Sequence, residues 1–139
     1  MPSLITHSIF ATDVYGQCDP LIGGTEDQRD AFILGNMGPD PLFYAFMHPS
    51  MFKHRYIGTR FHREKPAERI TNLKRSLDIL SDEEREIGQA YALGFPCHYL
   101  RDSATHPLIY WNSNRLCESG VDGLTQEYSR EVHALIDSD

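Results

Sequence analysis

Apolar positions recur every three or four residues along most of this chain. Leu4, Ile5, Ile9, Ala11 and Tyr15, with Ser8 and Thr12 on the same spacing, mark one such stripe over residues 4–16. No segment shows the sustained period-two alternation of β-branched residues that marks a half-buried strand. Thr25-Glu26-Asp27-Gln28 has the form of a capping box. The helix it opens carries Ala31, Phe32 and Leu34 and is expected to stop near Gly35 or Gly38. Pro66 suits a first helical turn, where its missing N–H costs no bond. Ile70, Leu73, Leu77 and Leu80 then form a stripe. Ser81-Asp82-Glu83-Glu84 is a second capping box. It starts a long helix through Ile87, Ala90, Tyr91, Leu93 and Gly94 toward His98 and Asp102. Pro96 crowds the carbonyl of Ala92 and predicts a kink there. Residues 107–123 are rich in Asn, Ser and Gly and read as a loop. Leu124, Tyr128, Val132, Leu135 and Ile136 predict a last helix over 124–138. The fold class is all-α, a single domain over residues 1–139 with no internal repeat or linker.

Composition narrows the function classes. Hydrophobic residues make up 40% of the 139, enough to build a core. The formal net charge of −7 argues against a general nucleic-acid surface, which needs a basic face. No basic n-region precedes a long apolar run, and no stretch approaches the roughly 18 apolar residues of a membrane span. The chain therefore reads as cytoplasmic. Cys18, Cys97 and Cys117 are odd in number and lack CxxC spacing, so they read as small packing residues.

The polar positions carry the chemistry. His98, Asp102 and His106 are spaced four apart, which stacks imidazole, carboxylate and imidazole on one helix face. His133 and Asp137 repeat the spacing near the end of the chain. One such pair alone arises often by chance; two pairs with an added histidine do not read that way. His7 lies on the first helix, and His62 follows Gly58-Thr59-Arg60-Phe61. Asp40 sits in Gly35-Asn36-Met37-Gly38-Pro39-Asp40-Pro41, a rigid turn that would hold its carboxylate in place. Five histidines and three aspartates are too many donors for one tetrahedral zinc; they suit two or three ions. His48 and His54 show no ligand spacing and read as ordinary histidines.

Several blocks together resemble the zinc-dependent phospholipase C family, whose fold is shared with the S1/P1-type nucleases. They are Pro2-Ser3-Leu4-Ile5-Thr6-His7, the run from Leu34 to Tyr44, Gly58-Thr59-Arg60-Phe61-His62, and the run from Ala92 to Ser103. His106-Pro107 and the pair His133 and Asp137 complete the match. The resemblance implies a helical bundle around a centre of two or three Zn2+ ions. It implies one zinc on His62, His98 and Asp102, and a second, bridged by Asp102 and held by His7, to which secreted members add the free N-terminal amine and carbonyl. It implies a third on His106, His133 and Asp137, with Asp40 as general base or as orienter of the attacking water. The family usually has glutamate where Asp137 stands, so the last helix must approach its metal more closely. It normally continues past the point of Asp139, so a C-terminally shortened domain is expected.

The activity implied is hydrolysis of a phosphodiester, with a phospholipid headgroup as one substrate class. A degenerate member that binds metal without turnover, or an S1/P1-like nuclease, are the alternatives. The acidic composition counts against a stable nucleic-acid partner. Tyr44, Phe46, Met47, Met51 and Phe52 form an aromatic and methionine cluster in residues 42–52. It suits a membrane contact or a loop packed on the core equally well.

Overall fold

Both capping boxes form. Thr25 Oγ1 accepts the N–H of Gln28 at 3.2 Å while Gln28 Oε1 accepts that of Thr25 at 3.1 Å. Ser81 and Glu84 repeat the exchange at 3.4 and 3.1 Å. Each box satisfies donors that a helix start leaves without partners. The computed structural model describes residues 4–54 and 56–138. Helix α1 spans Leu4–Ile22 and α2 spans Glu26–Asn36. Two 3-10 segments follow, Asp40–Met47 and Pro49–His54. Then come α3, Ile57–Arg63, and α4, Pro66–Ser76, with a 3-10 turn at Leu77–Ile79. Helix α5 runs from Asp82 to Ser119, and α6 from Ser129 to Ser138. Among the described residues there is no strand, as an all-α fold requires.

The core sits where α1, α2 and α5 meet. Ala11, Ile22, Phe32 and Ala90 are buried there, with Val14, Tyr15, Cys18, Ala31, Ile33 and Cys97 packed around them. Burying Phe32 contributes roughly 1.5–3 kcal/mol. The three cysteines are free, and Cys117 is fully buried.

Two glycines let α2 and α5 touch backbone to backbone. A Cβ at Gly35 would strike the carbonyl of Tyr91, and one at Gly94 would strike the carbonyl of Phe32. This approach brings the turn after α2 against the ligand face of α5. Gly38, at φ +55°, completes the seat: a side chain there would collide with the His98 ring.

Three boundaries differ from the sequence reading. Residues 107–119 are helix, not loop, and α5 continues through both Pro96 and Pro107. Ile109, Ser113 and Cys117 are buried at intervals of four. Small and polar residues hold two of those three places, so an apolar count misses the stripe. The helix instead stops at Gly120, whose φ of +64° is the left-handed C-terminal conformation. Helix α6 starts at Ser129 rather than 124, because Leu124 and Thr125 are extended and Gln126–Tyr128 is a 3-10 turn. The stripe of α4 also breaks at Ser76. Leu77 and Leu80 still pack on α5, each near the position a Cβ at Gly88 would take.

The close approach gives a stability prediction. Gly94→Ala should cost about 1–3 kcal/mol or more, because the neighbour is backbone and cannot move aside. Gly16→Ala, in α1 with nothing within 4 Å of its Cβ, should stabilise by about 0.5–1 kcal/mol. Urea unfolding of both variants at one fixed zinc concentration checks this. Equal midpoints would contradict the close contact.

Candidate metal centre

Five elements each bring a part of the site. Helix α1 supplies His7, the turn after α2 supplies Asp40, and α3 supplies His62. Helix α5 supplies His98, Asp102 and His106, and α6 supplies His133 and Asp137. Three groups have ligand atoms close enough to share an ion: His7, Asp40 and His98; His62, His98 and Asp102; His106, His133 and Asp137. All eight predicted site residues thus fall in these groups. His48 and His54 fall in none of them; His48 pairs with Ser50 at 2.8 Å.

Helix α5 builds the centre through its own spacing. His98 Nε2 lies 3.4 Å from Asp102 Oδ2, one turn along the same face. His7 and His98 stack with ring centroids 4.3 Å apart, and both are fully buried. Helix α3 is fastened by the Tyr99 hydroxyl, which donates to the Phe61 carbonyl at 3.0 Å. That contact sets His62 Nε2 3.3 Å from His98 Nε2 and 2.8 Å from Asp40 Oδ1. In the last group the His106 and His133 rings stack 5.4 Å apart beside the buried Asp137. Thr6 donates to the Asp137 carbonyl at 3.1 Å, which ties α6 to α1.

Proton positions follow from what the rings touch. His62 Nδ1 lies 3.0 Å from the Gly58 carbonyl, which can only accept, so Nδ1 carries the proton. His106 Nδ1 meets the Asp102 carbonyl at 2.9 Å with the same result. In the neutral rings this leaves each Nε2 lone pair free, the arrangement that ligating histidines use. Both oxygens of Asp40 are buried without a hydrogen-bond partner, because the nearby ring nitrogens are not aligned to donate. The same holds for His7 Nδ1, His98 Nδ1, His133 Nδ1 and Asp137 Oδ2. The buried carboxylate oxygens of Asp40 and Asp137 among these call for cations, so the residues fit zinc.

Burial and charge shift the titrations in opposite directions. Burial pulls the His98 pKa down to about 4, against the pull of Asp102. Burial also opposes the charged form of His62, but Asp40 and the Gly58 carbonyl outweigh it and the pKa rises. Burial and the His106 ring lower His133. Burial alone would raise the Asp102 carboxyl; the His7, His98 and His106 rings overcome this and hold it below its ordinary value.

This combination defines an all-α bundle with a His/Asp metal centre at the meeting of its helices. A family model described as zinc dependent phospholipase C matches residues 6–138. The chain belongs to that family. Comparison with curated proteins and with solved structures gave no significant match.

The structure adds two residues that the sequence reading passed over. Arg101 is only 6% exposed and reaches into the centre. A single arginine beside a ligand gives no sequence signal, since arginines usually face water. Asn36 is fully buried with neither amide atom bonded. Its place two residues before Gly38 in the Asp40 turn is the nearest hint. Residues 1–3, where the resemblance places a further ligand in secreted members, lie outside the described residues.

An NMR titration of the metal-free protein tests the electrostatics. His98 should stay neutral down to about pH 4, and His62 should take up its proton above 6.5. Their contributions to stability then have opposite signs. The His98 contribution is lost as pH falls from 6.5 toward about 4, and that of His62 as pH rises through its raised pKa. A common pKa near 6.5 for both rings would contradict the described environments.

Proposed function

We propose that this chain is a zinc-dependent phosphodiester hydrolase of phospholipase C type. The observation that carries the reading is the convergence of three His/Asp groups, drawn from five elements, with buried carboxylate oxygens on Asp40 and Asp137 that have no hydrogen-bond donor. His62, His98 and Asp102 would hold one zinc, and His106, His133 and Asp137 another. Zinc bound there supplies Lewis acidity, lowering the pKa of a water toward about 7 and drawing charge from phosphate oxygens.

The chain's own groups do the rest. Asp40 takes the proton of the attacking water. Its carboxylate is buried and held between His62 Nε2 at 2.8 Å and His7 Nε2 at 3.5 Å. Water oxygen bonds to phosphorus, the bond to the alcohol oxygen breaks, and the leaving oxygen takes up the proton that Asp40 accepted, so that a phosphomonoester and an alcohol leave. Gly58 and the Asp102 carbonyl orient His62 and His106 so that Nε2 faces inward.

A lipid diester is the substrate class favoured by the surroundings. The Phe43 ring packs 4.8 Å from His62, its own segment exposes Tyr44 and Met47, and the next exposes Phe52. The Phe46 side chain lies outside the described residues. An exposed apolar rim beside a phosphate site suits a substrate presented at an interface.

Hydrolysis of bis(p-nitrophenyl) phosphate with added zinc tests the reaction. Asp40→Asn should lower kcat by about 10²–10⁴-fold with zinc content unchanged. Unchanged turnover, or loss of zinc together with activity, would remove the role of base from Asp40. Bound zinc with no cleavage of any diester would favour a degenerate member. Cosedimentation with phosphatidylcholine vesicles, with and without zinc, tests the rim: Met47→Ser should pellet less than the unaltered chain. Failure of the unaltered chain to pellet in both conditions would remove the interfacial reading.

A further inference from the structure

Arg101 occupies the atoms that one of the expected ions would need. Its Nη1 lies 3.0 Å from His7 Nε2 and 3.4 Å from Asp102 Oδ1. Its Nη2 lies 3.4 Å from Asp137 Oδ1. A guanidinium is charged at every accessible pH and can only donate, so the contact at 3.0 Å takes the His7 Nε2 lone pair. An imidazole nitrogen has one lone pair and cannot serve a metal as well. Asp102 is divided in the same way: Oδ1 faces the guanidinium, and Oδ2 faces His98 at 3.4 Å. Asp137 gives Oδ1 to Arg101 and keeps a buried, unpartnered Oδ2 beside His106 and His133.

The groups also compete. His98 belongs both to the group with His7 and Asp40 and to the group with His62 and Asp102. Its Nε2 lies 3.3 Å from His62 Nε2 and 3.9 Å from Asp40, so it points into the second group. A divalent ion on His7 would thus lack both the His7 lone pair and His98 Nε2. It would also sit against a buried positive charge.

We propose that Arg101 takes the place of a metal ion, so that the chain holds two zincs and one fixed guanidinium. This rests on the zinc reading above and sharpens it. One ion sits on His62, His98 and Asp102, the other on His106, His133 and Asp137. His7 accepts from Arg101 instead of ligating metal. The carboxylate of Asp102 then bridges a zinc and a guanidinium, in place of the two zincs that the sequence resemblance implies. Arg101 is a positioning residue: it links Asp102 of one metal group to Asp137 of the other.

Zinc content per chain, by elemental analysis after saturation and desalting, tests this, with calorimetric stoichiometry as a second readout. The unaltered protein should hold two zincs, His7→Ala two, and His98→Ala one. Arg101→Gln, which frees His7 Nε2 and Asp102 Oδ1, should gain a third. Circular dichroism establishes that each variant keeps its helices. Should Arg101→Gln not fold, the counts for the unaltered chain and for His7→Ala still decide. Three zincs in the unaltered chain, a loss in His7→Ala, or a folded Arg101→Gln that stays at two would overturn the role given to Arg101 and leave the zinc reading standing. No zinc in the unaltered chain would remove both.

Discussion

Negative charge and free lone pairs are packed together at the meeting of these helices, and they require positive charge among them. Asp40 and Asp137 are buried, Asp102 is nearly so, and His7 and His98 have no access to solvent. Their acceptors cannot be satisfied by one another, because carboxylates do not donate and a neutral imidazole donates from one nitrogen only. Cations resolve the conflict in three forms: a proton, a metal or a guanidinium. Against the effect of burial, Asp40 and the Gly58 carbonyl favour the proton on His62 and raise its pKa. Arg101 is the permanent cation. The remaining capacity is what zinc would fill.

The rest of the fold can be understood as the means of holding that arrangement. Helix α5 is the spine, with three site residues on one face. Gly35 and Gly94 let α2 lie directly on it, so that the Asp40 turn reaches His98. Tyr99 reaches sideways to seat α3, and Thr6 fastens α6 to α1. The apolar core of Ala11, Ile22, Phe32 and Ala90 lies where α1, α2 and α5 cross. Helix packing alone thereby sets the distance between donors before any ion arrives. Such preorganisation lets binding free energy go into coordination rather than ordering.

On the proposed reading, with two metal groups joined through Arg101, the arrangement carries a functional consequence. A phosphodiester places a dianionic transition state between attacking and leaving oxygens, and a site of this kind must offer positive charge on both sides. A guanidinium fixed between Asp102 and Asp137 supplies charge that no chelator removes. It also spans the two carboxylates so that neither group can shift alone.

Much of this was legible in the residues themselves. The capping boxes at Thr25 and Ser81, the four-residue spacing of His98, Asp102 and His106, and the repeat at His133 and Asp137 are local patterns, and local hydrogen-bond and helical geometry turns them directly into structure. The course of α5 beyond Pro107 was not legible. Its buried stripe of Ile109, Ser113 and Cys117 holds one large apolar residue, and the small side chains of Ser113 and Cys117 are buried only because of how the bundle packs. Nor was the part played by Arg101. Whether a charged side chain faces water or a neighbouring carboxylate depends on where other helices lie, and His7 and Asp137 approach Arg101 from 94 and 36 residues away. The sequence by itself determined the helices and the donors; tertiary packing decided which donors come within reach of one ion and which meet a guanidinium, because only packing sets distances between residues far apart in the chain.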